Sequence, residues 1–152
     1  MRDLVELDEL YPLMAEVIAK GGTFRLYPRG TSMLPMLREG EDSVELARAD
    51  AFAEGDVLFY RRSGGAFVLH RLIVAGETLT LCGDHQNMLE YGVRREQVLA
   101  KLVGFYKGET YHTVTERDYL AYAKKMVKRF PFYRRNEKLY RFLRKIKHIL
   151  VK

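Results

Sequence analysis

At 152 residues the chain has the length of one domain with a sizeable hydrophobic core. Its 47% hydrophobic and 30% charged residues are typical of an ordinary globular protein, and a single cysteine, Cys82, excludes an intrachain disulfide. The net charge of +6 is unevenly spread, because residues 115–152 hold thirteen basic and three acidic side chains, a net +10, which leaves −4 on the first 114 residues.

The N-terminal segment predicts one amphipathic helix over residues 5–20. Its apolar residues recur at helical spacing, and two glycines at 21 and 22 are typical of a helix end. The apolar face is expected to contain Leu10, Leu13, Met14, Val17 and Ile18.

The middle of the chain predicts short β-strands rich in Val, Leu, Phe and Tyr. SGG at 63–65 and AGE at 75–77 separate neighbouring strands and indicate hairpin turns. Strands at this spacing, without long helices between them, favour an antiparallel or mixed β domain. The expected strands lie in 23–28, 43–47, 56–62, 66–74, 78–83 and 98–108.

The basic end of the chain predicts two helices separated by Pro131. The first spans 115–130, with Thr115 as its N-cap, and the second spans 136–150. The second helix has cations beside an apolar face formed by Leu139, Phe142, Leu143, Ile146, Ile149 and Leu150. The expected organisation is an N-terminal helix over 1–22, a β domain over 23–114 and a basic helical tail over 115–152.

Two residues raise the question of catalysis. Ser32 lies in the apolar stretch RGTSMLPMLREG at 29–40, and His70 lies inside the apolar strand AFVLHRLIV at 66–74. A serine becomes a nucleophile when a base takes its proton, and histidine is the natural base near neutral pH. The structural alternatives are that Ser32 closes a turn and that a backbone carbonyl satisfies His70. His85, His112 and His148 lie in a polar loop, at the end of the β domain and in the tail.

Several separated motifs resemble those of signal peptidase I and LexA-type peptidases. GTSMLPML at 30–37 resembles the nucleophile motif, and VLHRLI at 68–73 resembles the general-base motif. REGEDSVELA, GDVLFYRR, LCGDHQN and VLAKLVGFYKG are similar to the remaining motifs, in the same order, over residues 23–108. The histidine before arginine in the base motif is similar to the archaeal and endoplasmic-reticulum type. Bacterial signal peptidases and LexA-like proteins carry a lysine at this position instead. The resemblance implies a mainly β fold, the coiled β-sheet of LexA and signal peptidases.

The resemblance also implies roles for individual residues. Ser32 is the expected nucleophile and His70 the expected general base. Asp84 matches an acidic loop residue that orients the base, although Glu90 is a second candidate and Asp84 is equally suited to capping its own loop. Backbone N–H groups near Ser32 are expected to form the oxyanion hole, with Thr31 and Met33 as the neighbouring substrate-binding or oxyanion residues.

The expected function is a serine endopeptidase that cleaves a leader or signal-like peptide through a Ser–His dyad. The alternative is a non-catalytic module that binds a peptide or a membrane surface with the same fold. The sequence shows no transmembrane span, no secretory signal and no room for an N-terminal DNA-binding domain. A cytoplasmic protein is expected, without cofactor, metal or nucleic acid. Its tail either contacts an anionic membrane or packs on the β domain. The oligomeric state stays open.

Overall fold

The computed structural model describes residues 6–130 and, within the tail, residues 139, 142, 143, 145 and 146. It contains the following elements in chain order, with a 3-10 turn at Arg95–Gln97 before β7: α1 (Leu7–Ala19), β1 (Phe24–Leu26), β2 (Ser43–Ala47), β3 (Val57–Arg61), β4 (Phe67–Ala75), β5 (Leu79–Cys82), β6 (Glu90–Val93), β7 (Val98–Lys107), β8 (Thr110–Thr113) and α2 (Arg117–Lys128).

The eight strands form one antiparallel sheet, which confirms the prediction of a mainly β protein with a helix at each end. The order is β1-β2-β7-β3-β4-β5-β6, and β8 pairs with β7. Register shifts interrupt the β2–β7, β3–β7, β4–β5 and β5–β6 ladders. Such irregularities bend a strand and increase its local twist. The sequence did not predict β6 or β8, because EYGV and TYHT are too short and too polar to show a strand pattern.

The core lies on both faces of the sheet. One face packs Leu69 of β4 with Met14 and Ile18 of α1 and with Tyr119 and Ala123 of α2. Leu72 of β4 belongs to a second cluster with Leu58, Tyr60 and Leu81. Alternation along β4 therefore directs Val68, His70 and Leu72 to one face of the sheet and Leu69 and Arg71 to the other.

Two details of the helices differ from the sequence prediction. Leu13 is 54% exposed, because α1 buries the stripe through Met14 and Ile18 instead. Thr115 is not the N-cap of α2. The cap is Glu116, whose carboxylate accepts a hydrogen bond from the Thr113 N–H, while the Thr115 hydroxyl bonds that of Thr113.

The predicted second tail helix lies mostly outside the described residues, as does His148. The described positions are helical, and Leu139, Phe142, Leu143 and Ile146 are all exposed. Within the described part of the chain, no helix is long and apolar enough to cross a bilayer.

Candidate active site

Ser32 lies in a tight turn between β1 and β2 that the core holds in place. Gly30 begins it at φ +82°, a left-handed conformation that favours glycine. Two backbone hydrogen bonds close it, from Leu34 N–H to the Thr31 carbonyl (3.2 Å) and from Leu37 N–H to the Met33 carbonyl (2.9 Å). The Met33 and Leu37 side chains are buried, whereas Ser32 is half-buried. The apolar residues around this serine therefore anchor the turn that carries it, a turn in which the Leu34–Pro35 peptide is cis.

A buried carboxylate fixes the far end of the same loop. Asp42 is completely buried and accepts hydrogen bonds from the Arg38 backbone and side chain, from Lys107 Nζ (2.8 Å) and from the Gly108 N–H (2.9 Å). Burial alone raises a carboxyl pKa, but the bonds from Arg38 and Lys107 outweigh it and hold the pKa of Asp42 well below its usual range. Lys107 also donates to the Met36 carbonyl (2.8 Å), which ties the Ser32 turn to β7.

His70 lies on β4, 4% exposed, and its partner is a phenol rather than a backbone carbonyl. Its Nδ1 atom is 3.3 Å from the Tyr60 hydroxyl, and that hydroxyl donates to Glu90. Burial lowers the pKa of the His70 imidazole to about 4, against the opposing effect of Glu90. The ring is therefore neutral at physiological pH and able to accept a proton.

Asp84 lies in the loop after β5 and pairs with Arg71. Both of its carboxylate oxygens accept from the Arg71 guanidinium at 2.7 Å, and one also accepts from Tyr122 at 2.9 Å. Arg71 is fully buried and donates further to the Gly55 carbonyl (2.7 Å) and to Met36 Sδ (3.3 Å). This ion pair holds together β4, the loop that begins at Gly83, α2 and the Ser32 turn.

The main chain of Ser32 meets the end of β5 beside His70. Cys82 pairs with Arg71, so the next residue, Gly83, lies next to His70. The Ser32 carbonyl is 2.5 Å from the position that a Cβ on Gly83 would take, and it accepts the His85 N–H at 2.9 Å. Within the described residues, no hydrogen bond joins the Ser32 hydroxyl to the imidazole. Catalytic hydrogen bonds are often long or absent before substrate binds.

The predicted oxyanion residues Thr31 and Met33 lie on either side of Ser32 in different surroundings. Thr31 is exposed and its carbonyl closes the turn, while the Met33 side chain is part of the core. In the part of the chain that the structure describes, the N–H groups of Ser32 and Met33 donate to no protein acceptor. Free N–H groups beside a nucleophile are the donors that an oxyanion requires.

An open cleft of about 610 Å³ lies against His70. Its walls are Arg62, the loop residues 86–89, and Glu90 and Tyr91 of β6, and Met88 in this loop is 64% exposed. No group of three metal-ligating side chains occurs among residues 6–130. Cys82 is no rival nucleophile, because burial raises the pKa of its thiol to about 11.

Sequence reasoning assigned no role to Tyr60 or Arg71, although both contact the expected site residues. Arg71 carried a usable signal, since a charged residue inside an apolar strand must find a partner. Tyr60 carried none, because tyrosine is a common strand residue. Of the two candidate orienting acids, Asp84 bonds Arg71 and Glu90 reaches His70 through Tyr60.

Comparison of the chain with protein-family models, with curated proteins and with solved structures finds no match. The functional argument therefore rests on the residues of the site and on their geometry.

Proposed function

We propose that this chain is a serine endopeptidase with the coiled β-sheet fold of the LexA and signal peptidase type, in which Ser32 and His70 form the catalytic dyad. One observation carries the proposal, namely that the Ser32 main chain packs on Gly83, the residue beside His70 at the end of β5. The main chain of Ser32 and the imidazole 38 positions further along the sequence therefore both lie near Gly83, and His70 lines an open cleft.

The chemistry follows from the protonation state and from the free N–H groups. Neutral His70 accepts the Ser32 proton as the hydroxyl oxygen attacks the scissile carbonyl carbon, and it then donates that proton to the leaving amine. The Ser32 and Met33 N–H groups are available to stabilise the oxyanion. Water cleaves the resulting acyl-serine ester, with His70 again as base. An extended leader or signal-like peptide fits a cleft beside strands.

The test is cleavage of a peptide library, with products identified by mass spectrometry. Wild-type protein should cleave, and Ser32→Ala should lose cleavage while its free energy of unfolding changes by less than about 0.5 kcal/mol. Ser63→Ala is the matched control, because Ser63 is an exposed serine in the 63–65 turn. Equal cleavage by wild type and Ser32→Ala would contradict the nucleophile assignment.

The tail supports a location for this activity at an anionic membrane surface. Leu139, Phe142, Leu143 and Ile146 recur at helical spacing and are 37–59% exposed, so they form an apolar stripe open to solvent. Lys145 in the tail is exposed, as are Lys124, Lys125 and Lys128 of α2. An apolar stripe with cations beside it is typical of helices that lie in the membrane interface, where each cation adds about 1 kcal/mol of attraction to anionic lipid.

Liposome flotation tests this location. Wild-type protein should float with vesicles that contain anionic lipid and should stay in the soluble fraction with neutral vesicles. Leu139→Gln combined with Phe142→Gln should abolish flotation, whereas Leu13→Gln, at an equally exposed leucine of α1, should not. Recovery of wild-type protein in the soluble fraction with both kinds of vesicle would rule out the membrane.

The second candidate function is a non-catalytic module that binds a peptide with the same fold. The observation that favours it is the absence, within the described residues, of a hydrogen bond between Ser32 and His70. The peptide library separates the two functions, because a binding module retains library peptides uncleaved and binds them equally well as Ser32→Ala.

A further inference from the structure

The Nδ1 edge of the His70 ring contacts a chain of hydrogen-bonding groups that ends at Glu90, a residue in the wall of the cleft. His70 on β4 pairs with Leu58 of β3, which places Tyr60 diagonally across the ladder on the same face. The Tyr60 side chain is fully buried, and its ring meets the imidazole edge-on, with centroids 6.3 Å apart. The Tyr60 oxygen lies 3.3 Å from His70 Nδ1 and donates its hydrogen to Glu90 Oε2.

The carboxylate at the end of this chain is ionised. Arg62 donates to both Glu90 oxygens, from Nε to Oε1 (2.8 Å) and from NH2 to Oε2 (3.1 Å). Burial acts to raise the pKa of Glu90, but the bonds from Arg62 and Tyr60 outweigh it and lower that pKa. An ionised carboxylate only accepts hydrogen bonds, so the bond between Tyr60 and Glu90 must use the phenolic hydrogen.

Counting hydrogens then fixes the tautomer of the imidazole. A phenol has one hydroxyl hydrogen, and Tyr60 uses it in the hydrogen bond to Glu90. The Tyr60 oxygen therefore presents only lone pairs to His70. A neutral imidazole carries one N–H, and the bond made by one ring nitrogen decides which nitrogen holds the hydrogen. His70 must place it on Nδ1, because two lone pairs would otherwise face each other in a buried site.

We infer that Tyr60 and Glu90 are positioning residues that hold His70 in the Nδ1–H tautomer and leave Nε2 as the basic atom. This inference rests on the proposed peptidase, in which Nε2 is the atom that takes the Ser32 proton. Of the two acids between which the sequence resemblance left the orienting role open, Asp84 and Glu90, it assigns the role to Glu90 and adds Tyr60 as the group that contacts the imidazole. Within the described residues Asp84 makes no hydrogen bond to His70, and its oxygens accept from Arg71 and Tyr122 instead.

The test is a direct observation of the tautomer by ¹⁵N-edited NMR on the full chain without substrate, with His70→Gln to assign the resonances. The wild-type spectrum should show His70 protonated at Nδ1. Tyr60→Phe should convert it to a mixture of tautomers or to the Nε2–H form. Tyr122→Phe, which removes a half-buried phenol bonded to a different carboxylate, should leave the His70 signals as in wild type.

Glu90→Gln is the second variant, chosen because it keeps the shape of the side chain. A glutamine amide can donate to the Tyr60 oxygen, which frees the phenolic hydrogen for Nδ1 and should shift the ring towards Nε2–H. A wild-type ring protonated at Nε2 would overturn the inference, as would Tyr60→Phe or Glu90→Gln spectra identical to wild type. If Tyr60→Phe does not fold, Glu90→Gln decides alone by the same criteria.

Kinetics separate this inference from the proposed function. Tyr60→Phe should lower kcat at least tenfold with little change in KM, because only the transition state needs the correct tautomer. If wild-type His70 is protonated at Nδ1 but cleavage does not depend on Ser32, the proposed peptidase function is refuted. The tautomer assignment is then still correct. Ser32-dependent cleavage with an unchanged kcat and an unchanged tautomer in Tyr60→Phe would refute the positioning role alone.

Discussion

Acidification should destabilise the protein because His70 is buried. The loss of stability should be larger than it would be if this histidine were exposed. The folded protein holds the pKa of His70 at about 4, and the unfolded chain returns it to about 6.5. Between these values the unfolded state binds more protons, so stability is lost as the pH falls from 6.5 towards 4. At about 1.4 kcal/mol per pKa unit, the full loss is about 3 kcal/mol.

The assay is urea unfolding at pH 7.5 and pH 4.5 for wild type and for His70→Gln, which cannot titrate at this position. Other groups titrate in both proteins and cancel in the comparison. The stability of wild type relative to His70→Gln should therefore fall by about 2.5 kcal/mol between the two pH values. His85→Gln is the matched control for the substitution itself, because His85 is an exposed histidine.

A constant difference between wild type and His70→Gln would refute the reasoning, because it would mean that burial does not keep the imidazole neutral. The same pKa governs the expected activity. An ordinary histidine base would lose activity between pH 8 and 5, whereas a base with a pKa near 4 keeps its neutral form throughout that range. The acid limb of kcat/KM in the free enzyme should accordingly lie near pH 4.

Two further predictions concern the packing that supports the site. Gly83→Ala should lower the free energy of unfolding in urea by about 1 to 3 kcal/mol and should also lower kcat, because the added Cβ would clash with the backbone carbonyl of Ser32. The control Gly64→Ala should change neither quantity, because nothing lies near a Cβ at Gly64. Wild-type values for Gly83→Ala would contradict the close approach. Asp84→Asn should cost about 3 kcal/mol, because it leaves the buried charge of Arg71 without its partner, and Arg71→Met added to it should restore part of that loss. An additive double mutant would mean that the pair does not interact.

The sequence by itself determined the class of fold. Hydrophobic periodicity and turn residues predicted α1, six of the eight strands and α2, because these elements bury a face whose pattern repeats along the chain. It failed for β6 and β8, whose residues, apart from the buried Val93, are half-buried or exposed and show no such pattern. The sequence also placed Leu13 on the apolar face of α1, although this side chain is exposed. Helical spacing of apolar residues locates the centre of a buried face better than its edges.

The sequence also named Ser32 and His70, because a hydroxyl and an imidazole are the residue types that nucleophilic catalysis uses, and the family resemblance added Asp84 with Glu90 as the second candidate acid. Only the tertiary structure decided how these residues contact one another. Antiparallel pairing brings Gly83 beside His70, the Ser32 carbonyl packs on that glycine, and Asp84 pairs with Arg71. Glu90 is the acid connected to the imidazole because Tyr60 hydrogen-bonds to it and contacts His70. Tyr60 has this position because of the register between β3 and β4. No pattern along the sequence specifies such a contact across a sheet.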